Sequence, residues 1–322
     1  MEIKSYCIYS TKIFFIIILF LSLSYSFLHG SGFYGFSNDY YHEYSRHNVN
    51  YEIWREYGIV LATLSIYNFH VGVYLISFFL ALSSALILKS FFEKKKITSL
   101  FFYIIILLTI LHTHPIIMST SGAMRQGWTM IFVFFFIIFY LKEKYFLSFV
   151  MITISVFMHK SGLFFFALYF ITTVSLPFLK KSKQKRLTLV VLSLILSILL
   201  INYIQSNNFS NQRIVSGDFR IAWGIINFMY LIFYLLNYNL FSKSEMSRLT
   251  LFFYFHSLFG IIMVLNNFTY FYERINMIVA ITMILLILSY VKKDSYYWSI
   301  SLIMGFYLLL TIYQGMYTIG LT

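Results

Sequence analysis

Of the chain's 322 residues 60% are apolar and only 11% charged, and mean hydropathy is +0.79; against the roughly 45–50% apolar and 25% charged make-up of soluble domains, this excludes a soluble globular protein. Two prolines and the single cysteine, Cys7, exclude collagen-like chains, an internal disulfide and a thiolate metal cluster. A net charge of +13 interleaved with 22% aromatic residues reads as a record of membrane orientation rather than of nucleic-acid binding, leaving an all-α, polytopic membrane bundle.

A membrane-spanning helix needs about 20 apolar residues, and about eleven such runs (ten to twelve) can be placed. The first, Ile13 to Leu28, follows Lys4 and Lys12 and lacks a small-x-small cleavage site, so a retained helix is expected rather than a signal peptide. The longest polar stretch follows, at about 29–68. Within it Ile53, Trp54, Tyr57, Val60 and Leu61 recur at helical spacing, which predicts an outer loop with an interfacial amphipathic helix. Further spans are expected at Phe69 to Leu88, Ile97 to Leu111, Gly122 to Leu141, Tyr145 to Met158, Gly162 to Leu179 and Leu187 to Ile204. The last four are Ile221 to Leu240, Leu249 to Leu265, Ile275 to Val291 and Trp298 to Tyr313. No linker divides the chain, so residues 1–322 are expected to form one integral membrane domain.

If the amino terminus is cytoplasmic, the loops sort their positive charge as the positive-inside rule requires. Lysine takes the inner side everywhere except Lys160, while arginine takes the outer side everywhere except Arg186 and Arg248. Orientation needs only positive charge, which lysine supplies. A guanidinium is favoured where planar, bidentate recognition of phosphate or carboxylate matters. The competing reading is that outer arginines pair with acidic neighbours such as Asp39, Glu56 and Glu273 or with lipid headgroups.

Four polar clusters fall on the outer side. In the first, Asp39, Tyr40 and Glu56 lie among aromatic residues suited to sugar stacking, although an interfacial aromatic belt has the same composition. In the second, His112-Thr113-His114-Pro115 precedes a small polar run, Ser119 to Gly122, where Pro115 is expected to stop or kink the helix and the backbone can be irregular. Arg125 and Gln126 then enter the next apolar run, where an arginine must face a watery cavity or a partner, and the helix amino terminus beside it favours an anion. The spacing of His112 and His114 points them to different faces, against a metal site. The third cluster is His159-Lys160-Ser161-Gly162, a tight outward hairpin, with a histidine bonded to a neighbouring carbonyl as the structural alternative. The fourth, Asn266 to Arg274, opens the tenth span, with Glu273 and Arg274 expected to repeat the placement of Arg125. Asp218, Arg220 and Trp223 form a weaker version at the eighth span. His256, in mid-span, reads as a hydrogen bond within the bundle.

No Walker, GxGxxG, HExxH, GxSxG or paired-cysteine motif is present. Arginines, carboxylates and aromatics at the outer rim of a hydrophobic bundle suit a substrate with an isoprenoid tail, a diphosphate at the interface and a glycan outside. Asp39-Tyr40, Glu56-Tyr57-Gly58, Arg125-Gln126-Gly127, His159-Lys160-Ser161-Gly162 and Glu273-Arg274 together resemble, in order and topology over nearly the whole chain, the EpsG/Wzy-like polysaccharide polymerases. Gly162 stands where alanine is commoner in that family.

The resemblance implies polymerisation of undecaprenyl-diphosphate-linked repeat units at the outer leaflet of the bacterial cytoplasmic membrane, for O-antigen, capsule or exopolysaccharide. Arg125 and Arg274, with Arg220 as a weaker third, then fit a clamp on the leaving diphosphate. Asp39 and His159 are both candidates for the base. Tyr40 and Glu56, with Gln126, Glu273 and Lys160, fit substrate binding. No metal or other cofactor is expected. The lipid bilayer and the lipid-linked donor and acceptor are the expected partners, a chain-length co-polymerase is a further candidate, and nucleic acid is excluded. A flippase for the same lipid-linked units and a membrane acyltransferase are the rival readings. The first should carry charge through the depth of the bundle, and the second should face a cytosolic acyl donor, whereas the inner loops here are short and basic.

Overall fold

A computed structural model describes residues 12–30, 69–95, 99–121, 124–179, 224, 227–228, 230–234, 247–265 and 269–290, and among these every regular element is a helix. The helices are α1 (Lys12–Gly30), α2 (Phe69–Lys95), α3 (Leu100–Leu111), α4 (His114–Ser121), α5 (Met124–Leu141), α6 (Tyr145–Met158), α7 (Lys160–Leu179), α8 (Ser247–Leu265) and α9 (Thr269–Tyr290). The outer loop and interfacial helix expected at about 29–68 fall almost wholly outside the described residues, as do the spans expected at Leu187 to Ile204 and Trp298 to Tyr313 and most of Ile221 to Leu240. Among the described residues three helical stretches, Lys12–Gly30, Gly72–Glu93 and Ser247–Val264, are long and apolar enough to cross a membrane. A fourth is added if the bent pair Leu100–Leu111 and His114–Thr120 is one span. The protein is a helical membrane bundle.

Two compact units emerge, residues 1–162 with 284–322, and residues 163–283. In the first unit, α1 is inside-out relative to a soluble amphipathic helix. Its buried stripe is Phe14, Ile18, Ser22, Tyr25, Ser26, His29 and Gly30, whereas Ile13, Phe20 and Phe27 are 65–69% exposed. Small and polar groups turned inward with large apolar groups outward is the pattern of a helix solvated by lipid. The ends of α1 fix directions. Phe14 meets Tyr103 of α3 edge to face at 5.0 Å, while Tyr25 at the other end donates to the carbonyl of Leu111 at 2.8 Å, so α1 and α3 run parallel. Lys89, late in α2, sits over the ring of Phe15 at 4.4 Å, and Ser26 donates to Tyr74 O at 2.6 Å, so α2 runs the other way.

The third expected span differs in detail. Ser99 caps α3, accepting the N–H of Phe102. The chain breaks at His112-Thr113 and resumes as α4 after a 59° bend. Pro115 therefore opens a helix rather than stopping one: in the first turn its missing N–H has no partner to lose, and Thr113 O takes the N–H groups of Ile116 and Ile117. The run Ser119 to Ser121, read from sequence as a place for irregular backbone, is helical.

Helices α5 and α6 form a hairpin closed at Lys142-Glu143-Lys144. Lys144 N–H donates to Phe139 O and Glu143 N–H to Tyr140 O, with Glu143 at φ 59°, which is a Schellman closure with glutamate in the left-handed position that glycine usually takes. In the second unit Tyr230 donates to Thr250 O at 3.0 Å, Tyr234 stacks on Tyr254 at 4.5 Å, and Phe164, Phe165, Phe252 and Phe259 pack around α8.

Candidate functional site

The polar end of the first unit is assembled from four helices. His29 closes α1 and bonds Thr120 of α4 through Nδ1 at 2.9 Å. Thr120 donates its own proton to Ile117 O, so the imidazole is the donor. Tyr25 holds the last carbonyl of α3, and its ring lies 4.4 Å from that of His29 and 6.4 Å from that of His112. His112 bonds Leu108 O, and His114 is buried at the start of α4. The two histidines end up on opposite sides of the bend. Helix α4 meets α5 at backbone contact: a Cβ on Gly127 would run into the carbonyl of Ser119 and lie 2.7 Å from Ile76 Cδ1. Glycine is therefore what lets the start of α5, with Arg125 at its second position and Gln126 buried beside it, press against α4.

Because the α5–α6 hairpin returns the chain, α6 ends back toward the end from which α5 began, and His159 arrives there. A single extended residue, φ −163° and ψ 153°, separates α6 from α7. His159 fills that position as a cap for α7. Its carbonyl takes the N–H of Gly162 at 2.8 Å, and its Nδ1 takes the N–H of Ser161 at 3.2 Å and bonds the Ser161 hydroxyl at 2.8 Å. A backbone N–H can only donate, so Nδ1 is the acceptor and the proton of a neutral ring sits on Nε2. The tight connection foreseen from His-Lys-Ser-Gly is thus present as a one-residue break, and the imidazole bonds a backbone N–H and a hydroxyl rather than a carbonyl. Gly162 is fixed by contact as well, since a Cβ there would run into Ser155 O and lie 2.7 Å from Val156 N.

In the second unit Glu273 and Arg274 are half-buried on α9. The expected placement of Arg274 needs correction. Helix α9 starts at Thr269, six residues before the predicted Ile275, so Arg274 lies in the second turn, where backbone N–H groups are already bonded within the helix. It does not repeat the helix-start position of Arg125. Behind it lies a buried network. Asn227 donates to Asn276 Oδ1 at 2.8 Å and to the Tyr272 hydroxyl at 3.0 Å, His256 Nε2 bonds Asn276 Oδ1 at 3.2 Å, and Asn276 donates to Tyr272 O at 2.8 Å. His256 is the bundle hydrogen bond that its mid-span position predicted.

Comparison with known protein families matches residues 11–321 to the EpsG family. The chain belongs to the EpsG family. No curated protein and no solved structure matches it. EpsG membership carries a polysaccharide-polymerase-like role in a membrane setting.

Of the residues singled out from sequence, the EpsG fold brings His159, Gln126 and the helix start bearing Arg125 to one end of the first unit, and it holds Glu273 and Arg274 on α9. Asp39, Tyr40, Glu56 and Arg220 lie outside the described residues, as do the side chains of Arg125 and Lys160. Among the described residues no three His, Cys, Asp or Glu side chains gather as a metal site. Sequence reasoning placed Thr120 and Tyr272 in polar clusters but overlooked their partners, His29 in the first unit and Asn227 and Asn276 in the second. The signal for the former was the stripe Ser22, Ser26, His29 on an otherwise apolar span, and for the latter asparagines inside apolar runs, where each must find partners.

Proposed function

We propose that this EpsG-family chain is a glycosyltransferase that polymerises undecaprenyl-diphosphate-linked oligosaccharide units at the outer leaflet of the bacterial cytoplasmic membrane, its amino terminus cytoplasmic and its spans forming one membrane domain. The observation that carries the reading is the family match over residues 11–321. It is supported by an arginine at the head of a helix whose approach to its neighbour requires glycine.

In this reaction a hydroxyl of the acceptor unit attacks the anomeric carbon of the donor glycan. The new C–O bond forms as the bond to the diphosphate breaks, the diphosphate leaves with the electron pair, and a base takes the hydroxyl proton. Arg125 and Arg274, with Arg220, bind the departing diphosphate, a preorganised stabilisation worth about 3–4 kcal/mol per strong donor. Guanidiniums can take the place of a divalent cation here, so activity is expected to survive chelators. Of the two candidate bases, Asp39 is preferred. His159 already uses Nδ1 as an acceptor within its own turn, which suits its Nε2–H to donating to substrate oxygen. Tyr40, Glu56, Gln126, Glu273 and Lys160 bind the sugars and headgroup.

The test is synthesis by the purified chain from lipid-linked units. Arg125→Lys should express normally yet lose most polymer, because a point charge does not reproduce the fork. Full-length polymer from that variant would remove the clamp, and translocation without chain growth would make the protein a flippase.

A further inference from the structure

The Asn227–Tyr272–Asn276–His256 network is more elaborate than helix packing requires, and its geometry bears on Glu273 and Arg274. Tyr272 and Asn276 are one turn apart on the same face of α9, both buried to within 1%. At about 100° per residue, Arg274 projects from roughly the opposite side of the helix. Two other segments grip the inner face: Asn227 bonds both Tyr272 and Asn276, and His256 of α8 bonds Asn276. Asn276 Oδ1 accepts both inter-segment bonds while its amide donates to Tyr272 O, so every polar atom of this side chain is committed and its orientation is fixed. Room for Asn227 comes from Gly260, where a Cβ would stand 2.9 Å from Asn227 Nδ2 and 3.1 Å from Tyr272 Cε2.

We propose that Asn227, His256 and Asn276 are positioning residues that set the rotation of α9 about its axis and thereby aim Arg274, an inference that rests on the role given to Arg274 above. A rotation of about 20° moves a group about 6 Å from a helix axis by about 2 Å. Misplacement by about 1 Å can reduce a reaction by about 100-fold. Apolar packing alone resists such rotation weakly in a membrane, where lipid is as apolar as the helix face, whereas bonds between committed polar groups fix one register.

The test uses purified full-length protein titrated with undecaprenyl diphosphate in detergent micelles, with thermal unfolding measured alongside. His256→Leu removes one bond but leaves Asn276 Oδ1 satisfied by Asn227, so folding should survive. Its affinity should fall about 10-fold or more at nearly unchanged melting temperature, and His256→Gln, which can still donate to Asn276, should recover most of the loss. Asn227→Leu should behave as His256→Leu does. Wild-type affinity in both leucine variants, or affinity and melting temperature falling together without recovery by glutamine, overturns the positioning role. If Arg274→Gln abolishes binding while the leucine variants do not, only this inference fails. If Arg274→Gln, or the wild type itself, shows no specific binding, the diphosphate role of Arg274 fails and this inference with it.

Discussion

Gly162→Ala sets two physical effects against each other, and the structure says which prevails. Alanine in place of glycine inside a helix gains about 1 kcal/mol from backbone entropy. In this chain, however, the added methyl would run into the carbonyl of Ser155 and lie 2.7 Å from Val156 N. Both belong to the backbone of α6, so no rotamer change relieves the contact. Reaching an ordinary separation of about 3.5 Å from both atoms means shifting the backbone of this turn by more than about 1 Å, and overpacking of that kind costs about 1–3 kcal/mol. The variant should therefore be less stable than wild type by up to about 2 kcal/mol. Because His159 caps this same turn, polymer yield should fall too. Thermal unfolding of the detergent-solubilised protein reads the sign, with Gly224→Ala as control. There the nearest atom to a new Cβ among the described residues is the Tyr272 hydroxyl at 3.9 Å, and no loss is expected. A Gly162→Ala protein melting at or above wild type would refute the close contact between Gly162 and the backbone at Ser155.

Other variants probe separate pieces. Glu143→Gly should raise stability by about 1 kcal/mol, because glycine removes the steric cost of the left-handed position at φ 59°; an unchanged or lower melting temperature would contradict the turn geometry. Tyr25→Phe deletes the hydroxyl that holds Leu111 O across the α3–α4 bend, and should lower stability by about 1 kcal/mol, read by the same melts. Arg125→Lys should leave the amount of protein in the membrane unchanged while shortening surface polymer, as resolved on a gel. Polymer synthesis from lipid-linked units should be unaffected by EDTA, and strict Mg²⁺ dependence would favour a metal at Asp39.

Much of the fold was legible because hydrophobic runs long enough to span a membrane leave few alternatives, and α1, α3 and α5 to α8 follow the predicted runs to within about three residues at each end. The misses share one cause. Apolar runs mark where a helix crosses the hydrocarbon but not where its backbone begins, so α2 runs on through Lys95, and α9 begins in Thr269-Tyr270-Phe271, ahead of the charged pair taken as its boundary. The kink expected at Pro115 is present as the 59° bend, and what the local pattern does not show is that Thr113 makes Pro115 part of the first turn of a new helix. Charged residues drew attention to Arg125, His159 and Arg274. The pairings of uncharged groups nearby, Thr120 with His29 and Asn227 with Asn276, are contacts between distant stretches of chain that no local pattern announces.

The claim on which the account turns is that this protein joins repeat units, and deletion of its gene followed by gel analysis of the surface glycan addresses it directly. The account predicts that the ladder of lengths collapses to a single unit on its lipid anchor, restored by the wild-type gene and not by Arg125→Lys. An unchanged ladder, or complete loss of glycan from the surface with single units trapped inside the cell, would contradict it.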